Sequence, residues 1–187
     1  MPHENAKLIK QAVSGDSEAL EEVLSCYEKR VYNIAYRVMG NETDAQDAAQ
    51  EALTKVYLNI GSFGFRCAFS SWVYKLTVNT CIDLIRKNKY NTYNKSIELD
   101  SSFGNEIVDK SAGSNPEDFL HNLELLDNIL SELYKLKVND RIAIVLKDIQ
   151  GFTYQEISEI TGVSVGAVKS RLFRGRERLK KQLKNSL

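Results

Sequence analysis

Between Ser17 and Met39 the apolar residues Leu20, Val23, Leu24, Tyr27, Val31, Ile34, Ala35 and Val38 recur close to the helical period of about 3.6 residues. Gly40 follows where a C-capping glycine belongs. Thr43 with Gln46 reads as a capping box that opens a second helix to about Ile60, with Ala45, Ala48, Ala49, Ala52, Leu53, Val56 and Ile60 on one side. Gly61 to Arg66, with two glycines and two phenylalanines, reads as a loop, and Ser70 or Ser71 can cap a further helix reaching about Lys87. From Asn88 to Pro116 the periodicity is lost among Asn, Ser, Gly and acids, which predicts a flexible linker. It returns at Phe119, with Leu120, Leu123, Leu126, Ile129, Leu130 and Leu133 in one stripe. A short helix over 140–149 turns Ile142, Val145, Leu146 and Ile149 inward, and Gly151 ends it. Thr153 and Glu156 form a capping box for the next helix, Gly162 turns the chain, and Ser164 caps a last helix to about Leu183. No strand pattern or internal repeat stands out. The pattern predicts an all-α chain of two small helical domains, 1–90 and 118–187, joined by an acidic linker over 91–117.

Composition changes this picture little. The 187 residues are 43% hydrophobic and 27% charged, a globular balance, and Pro2 and Pro116 are the only prolines, so long helices are allowed. The polar N-terminus has no apolar signal core, and no stretch approaches the roughly 20 apolar residues of a membrane helix. A soluble, cytoplasmic protein is expected. Cys26, Cys67 and Cys81 are widely spaced and odd in number, which fits reduced thiols better than a disulfide framework or a zinc site. His3 and His121 are the only histidines, and there is no phosphate loop, GxGxxG after a strand or HExxH. No catalytic residue, metal or cofactor is predicted, and the chain is not expected to be an enzyme.

Charge changes more. The net charge is zero, which on its own argues against a nucleic-acid partner. Yet Lys169, Arg171, Arg174, Arg176, Arg178, Lys180, Lys181 and Lys184 crowd the C-terminus with Glu177 alone against them, while 98–132 is acidic with only Lys110 opposed. Such segregation predicts several charged partners, one of them anionic.

Three groups of residues carry candidate function. The C-terminal helix–turn–helix pattern would place its second helix in a DNA major groove. Val165, Val168, Leu172, Leu179 and Leu183 fall on its inward side, and Lys169, Phe173, Arg176 and Lys180 on another, with Ser170 and Arg174 beside them. A basic amphipathic tail, solvated or laid on a partner, is the bland alternative. The helix over 69–87 carries an apolar stripe of Tyr74, Val78, Cys81, Ile82 and Ile85 and a polar one of Lys75, Asn79, Asp83 and Arg86. An asparagine among cations can reach a base edge while the cations hold phosphates. Phe63, Phe65, Phe69 and Trp72 can stack on unpaired bases, although aromatics at helical spacing, Phe69 and Trp72 above all, fit a core as well. Asp44, Asp47 and Glu51 form one carboxylate face. The helix dipole explains Asp44 and Asp47 but not Glu51, which a basic partner would.

In order, spacing and residue type these groups resemble extracytoplasmic-function (ECF) sigma factors of the sigma-70 family. The resemblance rests on Asp47, Gln50 and Glu51; on Phe69, Trp72, Asn79, Asp83 and Arg86; and on Tyr154 to Ile157, Gly162 and Val165 to Arg171. Leu8 to about Asn88 resembles sigma domain 2, and Phe119 to Lys184 resembles sigma domain 4. The family often has Leu-Pro before the helix that meets the polymerase flap; Leu136-Lys137 stands here. The resemblance implies core RNA polymerase, promoter DNA and an anti-sigma factor as partners. It implies that Asp44, Asp47, Gln50 and Glu51 meet the polymerase clamp and Arg141 the flap. Lys75, Asn79 and Arg86, with Phe65 and Trp72 in or beside a loop that receives a flipped base, would engage the −10 element. Lys169, Ser170, Phe173 and Arg174 would read the −35 element, and Arg171, Arg176 and Arg178 would hold its phosphates. Two other readings stay open at this point: a helix-turn-helix regulator that binds duplex DNA without polymerase, and a helical adaptor that binds only protein.

Overall fold

The computed structural model of the chain describes residues 5–94 and 129–186, and every regular element among them is helical. The N-terminal unit consists of α1 (Ala6–Val13), α2 (Ser17–Met39), α3 (Glu42–Asn59) and α4 (Phe69–Asn94), with a 3-10 turn at Ile60–Ser62 after α3. Its spine is α2, which buries Val31, Ile34, Ala35 and Val38 completely. Full burial of one such Val or Ile is worth about 1.5–3 kcal/mol. The facing side of α3 is built from Ala45, Ala48, Ala49, Ala52 and Val56; small side chains let the two helix axes approach closely. Two residues join these helices. Gly40 takes φ 92°, the left-handed conformation that a Cβ penalises. Asn41 then caps α3 by accepting the Asp44 amide at 2.8 Å.

The C-terminal unit begins with helical residues 129–134 (α5). It continues through α6 (Val138–Ile144), which runs into a π-helical turn at Val145–Ile149, then α7 (Tyr154–Thr161) and α8 (Val165–Ser186). α6 and α8 cross where Gly175 leaves room: a Cβ there would lie 2.8 Å from Ile144 Cδ1 and 3.4 Å from the Asp140 carbonyl oxygen. Lys137, just before α6, takes φ −59° and ψ 136°. That is the conformation a proline enforces, so the lysine fills a proline's place without distortion. The two units share one continuous core, joined where the Tyr74 ring meets Phe152 edge-on at 5.3 Å.

Several expected boundaries move. α1 was not anticipated; it is short, and Ile9 and Ala12 supply its buried side. Asn41, not Thr43, caps α3, because Asn41 already satisfies the free amide, and Gln46 instead bonds Glu42 at 3.0 Å. α4 starts at Phe69, with Ser70 and Ser71 inside it and buried, and it runs past Lys87 to Asn94. α6 begins two residues before Asp140, and Ile149 is exposed rather than inward. Of the stripe predicted from Phe119, Ile129, Leu130 and Leu133 are described, and Leu133 is buried. The rest of it, and the linker beyond residue 94, lie outside the described residues.

Gly175 and Gly166 make opposite predictions. Gly166→Ala, where the nearest neighbour of a Cβ is Ser164 Oγ at 3.9 Å, should raise stability by up to about 1 kcal/mol through helix propensity. Gly175→Val should lower it by about 1–3 kcal/mol through overpacking. Thermal denaturation followed by circular dichroism reads both, and a higher melting temperature for Gly175→Val would contradict the close crossing.

Candidate functional site

The α4 helix divides its two sides sharply. Tyr74, Val78 and Cys81 are fully buried, while Lys75, Asn79, Asp83 and Arg86 are exposed. The loosest possible ion pair, Arg86 to Asp83 at 4.0 Å with both side chains mostly exposed, leaves this polar strip open to solvent. Phe63, Phe69 and Trp72 form a cluster at one end, with centroid separations of 5.1–5.6 Å. Phe63 and Phe69 are buried and Trp72 partly so. Phe65 packs on Phe63 at 4.9 Å, yet it is 51% exposed and holds φ 53°. A bulky side chain in the left-handed region is strained, and such strain collects at functional positions. Of the two aromatics expected to meet DNA, Phe65 is the open one and Trp72 belongs mainly to the packing with Phe63 and Phe69.

The helix–turn–helix forms from local chemistry. The Thr153 amide donates to Glu156 Oε2 at 2.7 Å and the Glu156 amide to Thr153 Oγ1 at 3.2 Å, completing the expected capping box. Gly162 turns the chain at φ 68°, and Ser158 Oγ braces the turn by donating to the Val163 carbonyl at 2.6 Å. Ser164 accepts the Ala167 amide at 3.3 Å at the start of α8. Val168 and Leu172 are buried and Leu179 packs against the core. Lys169, Ser170, Phe173, Arg174, Arg176 and Arg178 all face outward, with Phe173 69% exposed.

Two of these arginines are held by carboxylates 34 and 28 residues away in the chain. Arg174 meets Asp140 at 3.0 Å, and Asp140 is almost fully buried. Arg176 donates to both oxygens of Asp148, and that hydrogen bond raises the arginine's pKa. Arg171 is half-buried and lines a cleft of about 460 Å³ with Asn139, Ile142 and Thr161 on one wall and Asn79, Asp83 and Arg86 of α4 on the other.

Across the molecule, Asp47 and Gln50 border a groove of about 600 Å³ between α2 and α3, with Tyr32, Lys29 and Leu53. Glu51 pairs with Lys55 at 2.7 Å, and Asp44 accepts from Asn41 at 2.9 Å. Asp47, Gln50 and Glu51 are exposed and Asp44 half so, so the carboxylate face exists as expected. Arg141 does not sit on a surface: it is 7% exposed, with its guanidinium 5.6 Å from the Tyr134 ring centre. Burial lowers its pKa, and its Nε lacks a hydrogen-bond partner. Among the described residues no group of His, Cys, Asp and Glu could hold a metal ion, and no helix is long and apolar enough to cross a membrane.

An exposed asparagine–cation strip, a helix–turn–helix with a basic outer face and a separate carboxylate face thus stand on different helices of one chain. The Sigma-70 region 2 model matches residues 23–90, and the Sigma-70, region 4 model matches residues 126–179. The chain is 40% identical over 183 residues to the ECF RNA polymerase sigma factor SigW of Bacillus subtilis (strain 168), covering 96% of each. It is 29% identical over 175 residues to the ECF RNA polymerase sigma-E factor of Escherichia coli (strain K12), covering 91% of this chain and 89% of that one. Its fold resembles that of the sigma factor RpoE solved with the anti-sigma factor NepR from Bartonella quintana, with a TM-score of 0.72, 23% identity and coverage of 88% and 96%. It also resembles CnrH solved in complex with the cytosolic domain of CnrY, with a TM-score of 0.68, 24% identity and coverage of 97% of each chain. The chain belongs to the ECF sigma factors, alternative sigma factors that direct promoter-specific transcription initiation.

The capping box predicts that Thr153→Ala costs about 1 kcal/mol and frays the first turn of α7. Amide exchange at Glu156 should accelerate while that at Leu172 changes only with global stability. Unchanged protection at Glu156 would deny the cap its role.

Proposed function

We propose that this chain carries core RNA polymerase to promoters by dividing recognition between its two units. The observation that supports this most is the presence, in one chain, of an open Asn–Lys–Arg strip beside an exposed aromatic and of a basic recognition helix. Asn79, with Lys75 and Arg86, engages the opened −10 element. Phe65, packed on Phe63, stacks on a base turned out of the strand, a step that costs a few kcal/mol. Lys169, Ser170, Phe173 and Arg174 read the −35 duplex in the major groove, where Phe173 suits a thymine methyl. Arg171, Arg176 and Arg178 hold phosphates.

Asp44, Asp47, Gln50 and Glu51 bind the polymerase clamp, and α6 with Arg141 binds the flap once Arg141 is uncovered. Charge complementarity favours this assignment of the carboxylate face, which has no role against DNA. An anti-sigma factor is the expected regulator, since the similar RpoE and CnrH were solved with NepR and CnrY. The chain performs no catalysis of its own and works in the cytoplasm, where polymerase and promoters are. The N-terminal domain extends to the end of α4 at Asn94, past the expected boundary at 90, and the C-terminal domain spans 118–187, with the acidic remainder of 91–117 between them.

Run-off transcription with purified core polymerase, followed by sequencing of start sites, tests the proposal; a chain that never co-purifies with core polymerase would end it. Asn79→Ala should lower −10-dependent transcription about tenfold, corresponding to about 1.4 kcal/mol, with polymerase association intact. Asp47→Arg should weaken association itself. Equal loss of association in both variants would contradict the division of roles.

A further inference from the structure

Tyr154 is the first residue of α7, and its ring takes no part in the apolar core. It is 36% exposed, and its neighbours are cations. The Lys147 ammonium stands 5.0 Å from the centre of the ring and the Lys169 ammonium 5.6 Å. Arg176, held first by Asp148, is also drawn to the Tyr154 hydroxyl. Lys147 and Asp148 are consecutive residues of the π-helical turn after α6, a departure from the α-helix that recurs at functional sites. Lys147 is anchored there by donating to the Phe152 carbonyl at 3.1 Å. The π-turn, α7 and α8 therefore meet on one tyrosine.

An aromatic outside the core gains little from its size. What the Tyr154 ring does supply is a negative face, which attracts a cation within about 6 Å of its centre. That matters most for Lys169. Two outward arginines of α8 are steadied by carboxylates, Arg174 by Asp140 and Arg176 by Asp148. No carboxylate holds Lys169 among the described residues. A lysine is also the side chain that needs steadying more, being a point charge on a flexible four-carbon stem rather than a preorganised fork. We propose that Tyr154 is a positioning residue for −35 reading: its ring holds Lys169 in the orientation that enters the major groove, so that discrimination at the base pair Lys169 meets depends on an aromatic side chain at position 154. This rests on the role given to Lys169 above. A carboxylate in the same place would cancel the charge that DNA attracts. A ring face restrains the ammonium without neutralising it, and leaves N–H donors for the O6 and N7 acceptors of a guanine.

The full chain with core polymerase transcribes a pool of barcoded promoters randomised over the −35 element, and sequencing the transcripts gives the preference at each base. Lys169→Ala first marks the position that Lys169 reads. Tyr154→Leu should weaken the preference at that position about two- to fivefold, the range of one exposed cation–π contact, and leave the other −35 positions unaltered. Tyr154→Phe, which keeps the ring and loses the hydroxyl, should keep the preference. In the Lys169→Ala background Tyr154→Leu should change nothing further at that position, as for two residues that act through one contact. A further loss there, or an equal loss at every −35 position, would overturn the inference, because the tyrosine would then act by its own touch on DNA or by holding the fold. A second readout needs no DNA. In the free chain the Tyr154 ring current should move the Lys169 ε-methylene proton resonances upfield, an effect lost in Tyr154→Leu and kept in Tyr154→Phe. Equal resonances in the parent chain and Tyr154→Leu would also overturn it. If Lys169→Ala alters no −35 preference, the base-reading role of Lys169 fails and the positioning role with it, even where the resonances show the ring contact.

Discussion

The α4 helix sets the terms for everything else. It must bury Tyr74, Val78 and Cys81 against two units while keeping Lys75 and Asn79, which interleave with them in sequence, in water. The 3.6-residue turn makes this possible, because Tyr74, Val78 and Cys81 stack on one side at spacings of four and three. A buried threonine then ties the helix in rotation, since Thr80 accepts from Lys55 of α3 at 3.0 Å, while Thr77 satisfies its own buried hydroxyl on the Val73 carbonyl at 3.0 Å. Lys55 also pairs with Glu51. One lysine thus ties the carboxylate face of α3 to the helix that carries Asn79, so the proposed clamp and −10 surfaces are parts of one framework.

In α8 the constraint is different. Long basic side chains carry about 2 kcal/mol of rotamer entropy, and a recognition helix whose arginines wander loses that on binding. Asp140 and Asp148 restrain Arg174 and Arg176 before any DNA arrives. A guanidinium has five N–H donors, so an arginine that gives two to a carboxylate keeps others for a phosphate. The restraint has a cost: each carboxylate cancels part of the positive field that draws DNA in. Lys169, Arg178, Lys180 and Lys181, outward on the same helix and absent from the ion pairs of the described residues, retain that field.

Local signals were the legible ones. The α2 stripe, Gly40, the Thr153–Glu156 box, the Gly162 turn and the inward and outward sides of α8 were read from short-range periodicity and capping, and they stand in the fold. So does the carboxylate face on α3. What the sequence hid was long-range. The Asp140–Arg174 and Asp148–Arg176 pairs span 34 and 28 residues, with no local pattern to announce them. The place of Gly175 in α8 follows from the crossing with Ile144, which no short-range pattern shows. The resemblance assigns Arg141 to the polymerase flap, and its burial against the Tyr134 ring is a packing contact that no local pattern announces. The start of α3 was misplaced for a local reason, since Asn41 and Thr43 are both good caps and the one nearer Gly40 won.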